Sequence, residues 1–354
     1  MKKLKVGIIG AGSLSTSHLE AYKKNPDVEI IAICDNNVER AIQRAAEYGV
    51  KEYYGDYTDM FKKAEIDAVS VITSNNTHEP ITIAALEAGK HVLCEKPPAL
   101  DAAGAMAMEE TALKSGKLLM YGFVRRFTEN VQLLKAGISK GSLGEIYYVK
   151  TGLLRRCGNP GGWFANKEIS GGGPLIDVGV HIIDLAVYLM GKPRPVEVFG
   201  SLSSKLGNRG NIKGVSWYKA ADFDTSGNTV EDYASALIKF DNGASLFVET
   251  SWAMNTKEDT SYMDIFGTKG GAKLEPSLEI YSELGDYMVD ITPVLDISGF
   301  DAKQAFLAEL NHFADCALNG VQCICPAQDG TTVMKIIDAV YRSAENGKSI
   351  SLKD

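Results

Sequence analysis

The stretch KVGIIGAGSLSTSHLEAYKK, residues 5–24, decides the fold of the first part of the chain. Its apolar run ends at Gly10, and a short loop of small residues leads into a helical pattern. A Gly-x-Gly loop between a strand and a helix is typical of dinucleotide binding, because glycine permits a tight turn and lets the backbone approach a pyrophosphate. The alternative is an ordinary glycine-rich turn, since Ser15 replaces the usual third glycine. The predicted dinucleotide contacts in this loop are Gly10, Gly12, Ser13 and Leu14.

Strands and helices alternate through the rest of the first 120 residues. Apolar runs predict five strands, at residues 5–10, 28–35, 66–73, 91–97 and 117–123. Helical spacing with terminal glycines or a capping aspartate predicts intervening helices, among them 38–49, 78–89 and 101–116. This alternation predicts a parallel sheet with right-handed crossovers, which is an α/β Rossmann domain over residues 1–123.

The pattern changes from about residue 143, where strand-like runs follow one another with few helices. The runs are 145–154, 196–204, 232–240, 244–253 and 262–274. Asn242-Gly243 is a strong hairpin signal between two of them. We therefore expect residues 124–354 to form an α+β domain with a large, mostly antiparallel open sheet. Two final helices close the chain, and they pack either on this domain or back on the first.

Composition restricts the class of partner. The chain has 354 residues and a net charge of −8, so two domains are expected and general affinity for nucleic acid or an anionic membrane is not. No segment approaches the roughly 20 apolar residues of a membrane span. The spacing of the six cysteines predicts neither a zinc site nor a redox CxxC motif. We expect a cytoplasmic protein with reduced thiols and no metal.

Asp35 ends the second predicted strand, about 20 residues after the glycine loop. An acidic side chain at that point binds the ribose hydroxyls and repels a 2′-phosphate, so NAD is favoured as the cofactor. Arg40 is near in sequence and would soften the repulsion, which keeps NADP as an alternative. Asp35 could instead only cap the next helix.

Two further segments carry ionisable groups where buried structure is expected. Lys96 follows the fourth predicted strand, at the edge of the sheet where ligands bind, and two prolines fix the backbone after it. GGGPLIDVGVHIIDLAVYLMG, residues 171–191, has the composition of a buried helix but contains Asp177, His181 and Asp184. Residues four apart share a helix face and residues seven apart nearly do, so these three are expected to form one polar stripe. The alternative for Lys96 is an ordinary surface lysine. The alternatives for the stripe are a buried His–Asp network that braces the core and a metal site.

The segments VGIIGAG, TSNNTH, AGKHVLCEKPPAL, GGGPLIDVGVHIIDL and VEDYASALIKFDNGASL together resemble the Gfo/Idh/MocA oxidoreductase family, whose members include inositol dehydrogenase and glucose-fructose oxidoreductase. The resemblance runs essentially from end to end. It implies that Lys96 contacts substrate and cofactor, that the Lys96–Pro97 bond is cis, and that the family's helix aspartate and histidine are Asp177 and His181. Ser15 and Ser74 depart from the family pattern, at a glycine and a frequent proline.

The motifs and the resemblance together define the predicted site. The catalytic residues are Lys96, Asp177 and His181. Further cofactor contacts are Asp35, Asn36, Arg40, Thr73, Ser74, Asn75, His78, Glu95 and Lys96. Predicted substrate contacts are Arg126, Arg155, Trp163, Asp177 and His181, although Trp163 could instead be core packing.

The resemblance implies an NAD(P)-dependent oxidoreductase that acts on a secondary hydroxyl of a sugar, cyclitol or glycoside. His181 would take the hydroxyl proton, because its pKa suits a base near pH 7, and Lys96 would stabilise the developing negative charge. One alternative is a redox-neutral enzyme, glycosidase-like or isomerase-like, that holds NAD tightly. The other is a non-enzymatic NAD-binding sensor. A homodimer or homotetramer is expected, and the polar, glycine-rich segment 205–231 could be a lid or a subunit contact.

Overall fold

The computed structural model describes residues 3–353, apart from 208, 210, 211, 213–226 and 298. The chain divides into two compact units, of which the first is Met1–Val124 with Ala302–Thr331 and the second is Arg125–Asp301 with Thr332–Asp354. The first stretch of the first unit ends one residue after the predicted boundary at residue 123. Helix Ala302–Asn319, which the sequence left to either domain, belongs to the first unit.

The described residues form fifteen strands and ten α-helices. The strands are β1 Leu4–Ile9, β2 Val28–Cys34, β3 Glu52–Tyr54, β4 Ala68–Val71, β5 His91–Glu95, β6 Leu119–Gly122, β7 Ile146–Leu154, β8 Pro195–Ser203, β9 Tyr233–Phe240, β10 Ser245–Ser251, β11 Thr260–Gly267, β12 Gly271–Lys273, β13 Glu279–Leu284, β14 Tyr287–Ile291 and β15 Ile350–Ser351. The helices are α1 Ser15–Lys24, α2 Val38–Tyr48, α3 Tyr57–Lys63, α4 Asn75–Glu87, α5 Ala102–Ser115, α6 Glu129–Ser139, α7 Lys167–Ser170, α8 Val180–Leu189, α9 Ala302–Asn319 and α10 Ala327–Asn346.

The first unit contains a parallel six-stranded sheet in the order β3-β2-β1-β4-β5-β6, which confirms the predicted Rossmann architecture. The order reverses at β1, and in such sheets ligands bind at the carboxyl ends of the strands beside that point. The sequence missed β3, because its three residues are at most half-buried and give no apolar run. The helix ends follow local chemistry: Asp101 accepts a hydrogen bond from Gly104 N at 2.8 Å as the predicted N-cap of α5, and Gly49 ends α2 at φ 71°.

The second unit contains a nine-stranded sheet in the order β14-β13-β12-β11-β7-β10-β9-β8-β15. Only the β7–β10 pair is parallel among these described strands, so the sheet is mostly antiparallel, as predicted. The predicted strand 262–274 is divided into β11 and β12. Strands β13 and β14 were missed, because their side chains lie partly or fully exposed and show no buried face.

A buried helical segment lies on one face of this sheet. Leu175–Gly179 forms a π-helical turn that continues directly into α8, and α8 packs on β7 and β10. Contrary to the sequence expectation, one span among the described residues, Lys167–Leu189, is apolar and long enough to cross a membrane by composition. However, 89% of its most apolar window is buried inside the protein. This burial is what the core helix of a folded domain requires.

Arg126 and Asp184 form a buried ion pair in the second unit. Arg126 Nε donates to Asp184 Oδ2 at 2.9 Å and its Nη2 donates to Oδ1 at 2.6 Å, while each side chain is 1% exposed. The guanidinium also lies 4.5 Å from the ring centroid of Tyr188. This bidentate geometry joins the 3₁₀ turn Val124–Phe127 to α8, and breaking such a pair leaves a buried charge without compensation.

We predict that Asp184→Asn lowers the free energy of unfolding by about 3–5 kcal/mol, because Arg126 then keeps its charge in the core without a carboxylate. The matched control is Asp241→Asn, which breaks the exposed Arg194–Asp241 pair, with side chains 59% and 41% exposed. That change should cost less than about 1 kcal/mol. Urea unfolding of both variants measures the difference, and equal losses would contradict the role assigned to the buried pair.

Candidate active site

The glycine loop of the first unit begins with a turn that only glycine fits. Gly10 has φ +99°, and a Cβ added to it would lie 2.2 Å from the carbonyl oxygen of Ile72 at the end of β4. Gly10 N also donates to Cys34 O at 2.8 Å, at the end of β2. The turn after β1 is therefore held closely against both neighbouring strands, and a side chain at this position would push them apart.

The residues after this turn have the geometry of an anion-binding loop. A Cβ added to Gly12 would meet no described protein atom within 4 Å, and Ser13 and Leu14 are exposed. No side chain caps the N-terminus of α1. Helix N-termini attract phosphates through their N–H groups and dipole, so the residues present fit a dinucleotide pyrophosphate. Ser15 replaces the third glycine without disruption, because its buried hydroxyl donates to Gly12 O at 2.6 Å.

Asp35 lies beside this loop, as predicted. Its Oδ2 accepts from Ala11 N and its Oδ1 accepts from Asn37 N, both at 2.8 Å. An ionised carboxylate has about four acceptor positions, so about two remain for ribose hydroxyls. Arg40 Nη1 lies 3.7 Å from Oδ2, so its positive charge is close to the carboxylate, as its position in the sequence suggested. The hypothesis that Asp35 only caps α2 is wrong, because Asn37 is the N-cap and accepts from Arg40 N.

The predicted residues after β4 lie at the same edge of the sheet. Ser74 precedes α4 as its N-cap residue, and Asn75 is 5% exposed at the start of that helix. His78 is buried, with Nδ1 2.8 Å from Pro97 O and Nε2 3.1 Å from Thr73 O. Burial lowers the pKa of His78, and these two hydrogen bonds act in the opposite direction. His78 thus links the loop after β4 to the loop after β5, while Asn36 is exposed after β2.

Lys96 is the residue that the loop after β5 presents. Within Val92–Ala99, all of which the structure describes, Lys96 is the only residue that is not buried. The Lys96–Pro97 peptide bond is cis, as the family resemblance implied. Glu95 is 4% exposed, and it accepts from Lys96 N at 3.2 Å and lies 2.9 Å from His18 Nε2. The geometry gives Glu95 a positioning role, because its carboxylate holds the Lys96 backbone from inside the unit.

The second unit likewise has a buried segment with polar residues that are not fully buried, namely Asp177 and His181. Within Gly172–Met190, a fully described run, they are the only two residues that are not buried. Asp177 lies in the π-helical turn, and His181 lies in the first turn of α8. Short π segments inside helices are frequent at functional sites. The predicted stripe is wrong at its third member, because Asp184 is buried and engaged by Arg126. This pairing also removes Asp184 from the alternative metal set.

Glu231 fixes the start of this segment. Its carboxylate accepts from Gly173 N at 2.9 Å, from Leu175 N at 3.1 Å and from the Tyr341 hydroxyl at 3.0 Å. Burial raises the pKa of Glu231, and the hydrogen bonds that it accepts oppose this shift. A Cβ on Gly173 would lie 2.1 Å from Glu231 O, so glycine is required for this close approach.

An aromatic cluster surrounds Asp177. Trp252 is 1% exposed, and its Nε1 donates to Asp177 Oδ2 at 3.1 Å. Phe164 meets Trp252 edge-on at 6.4 Å between centroids, and Trp163 stacks on Phe164 at 3.8 Å. Burial lowers the pKa of Arg155, and the charge of Asp177 acts against that shift. Trp163, which is partly exposed, is thus connected to Asp177 only through Phe164 and Trp252.

Arg126 does not occupy the substrate-contact position that the sequence suggested. Its side chain is 1% exposed and both ends of its guanidinium bond Asp184. Arg126 belongs to the 3₁₀ turn Val124–Phe127, and there its side chain bonds Asp184 of α8. Most of segment 205–231, the proposed lid or subunit contact, lies outside the described residues.

Three residues of these sites escaped the sequence analysis. Trp252 and Glu231 are distant in sequence from the residues that they bind, and no local motif marks them. Arg44 lies on α2 with Nη2 3.5 Å from both Ala11 O and Gly12 O, so it supports the glycine loop from outside. The one signal in the sequence that could have identified Arg44 is its spacing of one helical turn from Arg40, which places both side chains on the same face of α2.

The glycine loop, Asp35 and the reversal of strand order define a dinucleotide-binding oxidoreductase. Residues 4–123 match the model described as "Oxidoreductase family, NAD-binding Rossmann fold", and residues 135–352 match that of its C-terminal alpha/beta domain. The chain belongs to the Gfo/Idh/MocA oxidoreductase family.

Individual relatives match over nearly the whole chain. D-glucoside 3-dehydrogenase of Escherichia coli is 36% identical over 99% of this chain and 97% of its own length. Myo-inositol 2-dehydrogenase of Thermotoga maritima is 28% identical over 99% of both. A solved structure of levoglucosan dehydrogenase, in complex with NADH and levoglucosan, is 25% identical with a TM-score of 0.86 and covers 100% of both chains.

We predict opposite outcomes for alanine at the two loop glycines. Gly10→Ala should destabilise the fold by more than about 1–3 kcal/mol, because the new Cβ meets Ile72 O and the positive φ is strained. Gly12→Ala should change stability by less than about 0.5 kcal/mol but weaken NAD binding, because its open side is where the cofactor approaches. Urea unfolding and calorimetric NAD titration separate the two effects. A Gly12→Ala protein that binds NAD like wild type would contradict the assignment of this loop.

Proposed function

We propose that the protein oxidises a secondary hydroxyl of a sugar, cyclitol or glycoside with NAD as hydride acceptor. The observation that carries this proposal is the placement of three polar side chains. Lys96, Asp177 and His181 are the partly exposed residues of two otherwise buried runs. Complete burial of an ionisable group carries a desolvation cost, and ionisable groups kept at the surface of otherwise buried runs are candidates for contact with a ligand.

The relatives support the substrate class. The two relatives described above match over nearly the full chain and are named for dehydrogenation of a D-glucoside and of myo-inositol. We propose glucosides as the first class to test, because that relative has the higher identity, 36% against 28%. Trp163 supports a ring substrate, since a partly exposed indole offers an apolar face to the C–H face of a sugar.

The residues divide the chemistry as follows. Bound NAD supplies the hydride acceptor. His181 takes the proton of the reacting hydroxyl on its imidazole, since histidine is the side chain that most often acts as general base. To Lys96 we assign the donation of a hydrogen bond from Nζ that stabilises negative charge developing on a substrate oxygen. Asp177, held by Trp252 Nε1, accepts from a neighbouring hydroxyl and so orients the ring.

Asp35 supports NAD over NADP. Its carboxylate is 7% exposed and lies at the end of β2 with acceptor positions to spare, where a 2′-phosphate would be repelled. Arg40 is 47% exposed and 3.7 Å away, which is too far and too solvated to neutralise the carboxylate fully.

A panel of glucosides, free sugars, sugar acids and inositols, incubated with NAD and followed by absorbance of NADH, tests the proposal. We expect NADH formation with at least one member of the panel. The redox-neutral alternative instead predicts a changed substrate without net NADH, and the sensor alternative predicts NAD binding without product. Either of these results would overturn the proposed reaction.

We predict that His181→Ala lowers turnover by about 10²–10⁴-fold, the usual contribution of a positioned general base. Stability should change little, because the side chain is partly exposed, and a higher pH should restore part of the rate as deprotonated substrate accumulates. The control is His91→Ala, since His91 begins β5 at the opposite edge of the sheet. Melting curves and pH–rate profiles of wild type and both variants test this prediction. A strongly lowered melting temperature of His181→Ala with normal turnover per folded molecule would refute the catalytic role of His181.

We further propose that the protein is a cytoplasmic homodimer or homotetramer that associates through the open face of its nine-stranded sheet. Phe199, Leu237 and Phe247 lie in register on neighbouring strands, and the first two are 51% and 42% exposed. An apolar row across three strands is costly in water and is well covered by the same row of a second copy. The six cysteines form no disulfide, which suits a reducing compartment.

Leu237→Lys should reduce the oligomer to smaller species, because it places a charge in the middle of this row. The control is Met106→Lys, which changes a comparably exposed side chain, 48%, on α5 of the first unit. Light scattering at micromolar protein measures both variants. A wild-type monomer, or an unchanged mass for Leu237→Lys, would rule out this surface.

A further inference from the structure

A cluster of metal-ligand side chains lies at the end of α9, away from the glycine loop and from Lys96 in sequence. His312 and Cys316 are four residues apart and share one face of α9. Cys323 follows the helix in the connection to α10. Their ligand atoms all lie within 4.8 Å of one another. The spacing of the cysteines alone predicts no zinc site, because one of the three ligands is a histidine, one helical turn before Cys316.

We propose that His312, Cys316 and Cys323 bind a zinc ion that ties the connection after α9 to the helix. Two thiolates and an imidazole form a donor set that suits zinc, which takes tetrahedral sulfur and nitrogen ligands. The fourth position is left to water, because His312 and Cys323 are partly exposed. This proposal does not rest on the proposed reaction, since the ion has a structural role.

The local hydrogen bonds prepare these groups for a metal. His312 Nε2 lies 3.4 Å from Cys316 Sγ and accepts from Ile324 N at 3.1 Å. Nε2 is therefore the ring nitrogen that lies beside Cys316 and would reach a metal held in this cluster. Binding would release both thiol protons to solvent and replace the Ile324 hydrogen bond by the metal–nitrogen bond.

The position of the cluster explains what an ion there would stabilise. The connection that contains Cys323 continues to Cys325, whose carbonyl accepts from Tyr121 N at 3.1 Å, and to Pro326, which bridges Met120. Tyr121 and Met120 belong to β6, the edge strand of the parallel sheet. An ion at the cluster would therefore hold the segment that covers this edge, where unpaired backbone groups otherwise face solvent.

The other side of α9 supports the dinucleotide-binding fold. Phe306 lies 5.7 Å from the ring of His18 on α1, and Asn311 Oδ1 accepts from Asn25 Nδ2 at 2.8 Å. Because α1 follows the glycine loop, a firmer α9 would raise the stability of the whole first unit. We expect zinc to raise the melting temperature of the protein and to leave the chemistry at Lys96 unchanged.

The test uses the full-length, untagged protein purified from a zinc-supplemented culture with reductant and without strong chelator. Elemental analysis should find about one zinc ion per chain in wild type. Metal-free wild type titrated with Co²⁺ should develop thiolate-to-cobalt charge-transfer absorption together with the visible bands of tetrahedral cobalt. Neither measurement on the wild type depends on whether a variant folds.

Variants then locate the ion. Cys316→Ser and Cys323→Ser should lose the zinc and the cobalt charge-transfer band, and zinc should no longer raise their melting temperatures. Cys157→Ser is the control, because Cys157 is a partly exposed thiol in the other unit. Retained zinc in both cluster variants, equal loss in the control, or no cobalt band in wild type would overturn the proposal. A Cys316–Cys323 disulfide in the freshly purified protein, shown by mass spectrometry, would also overturn it.

Discussion

The turn at Gly10 is the constraint on which the first unit depends. It brings the end of β1 against Ile72 O of the β4 connection and Cys34 O of β2, and a Cβ at this point would lie 2.2 Å from that first oxygen. Because three strand ends meet there, the same turn sets the N-terminus of α1 and places Ala11 N on the carboxylate of Asp35. The cofactor-binding groups are therefore fixed by backbone geometry before any ligand arrives, which reduces the entropy lost on binding.

The second unit uses a different arrangement to expose polar groups from a buried helix. Glu231 binds the N–H groups of Gly173 and Leu175, and the π-helical turn follows immediately. Asp177 and His181 are then the two partly exposed residues in a described run of buried ones. The charge that would be hardest to bury, that of Asp184, is neutralised by Arg126. One helix thus serves both as core and as the carrier of the proposed proton-transfer group.

Much of this could be predicted from the sequence, because the evidence was local. The strand–loop–helix at Gly10, the acid at Asp35 and the partly exposed Lys96 each follow from a short stretch of sequence. The predicted stripe is wrong only at Asp184, because α-helical spacing cannot foresee a π turn or a buried arginine 58 residues away in the chain. Trp252 and Glu231 were missed because their partners meet only in the folded chain. The His312 cluster is local in sequence, and it was missed because the spacing of the cysteines alone leaves out the histidine one turn before Cys316. Strands β3, β13 and β14 lacked the apolar runs that mark buried strands.

The central claim is that this chain removes a hydride from a carbon that bears a hydroxyl and leaves it on NAD. Isotope tracing tests it most directly. A substrate that the enzyme converts, identified by its loss from the panel, is labelled with deuterium at the carbon whose oxidation is proposed. It is turned over with unlabelled NAD, and the sugar product and the cofactor are both analysed by mass spectrometry. The account predicts one deuterium on the recovered NADH and a ketone that has lost it. Deuterium retained in the sugar product, with the NAD pool unlabelled, would contradict the account and indicate a redox-neutral reaction.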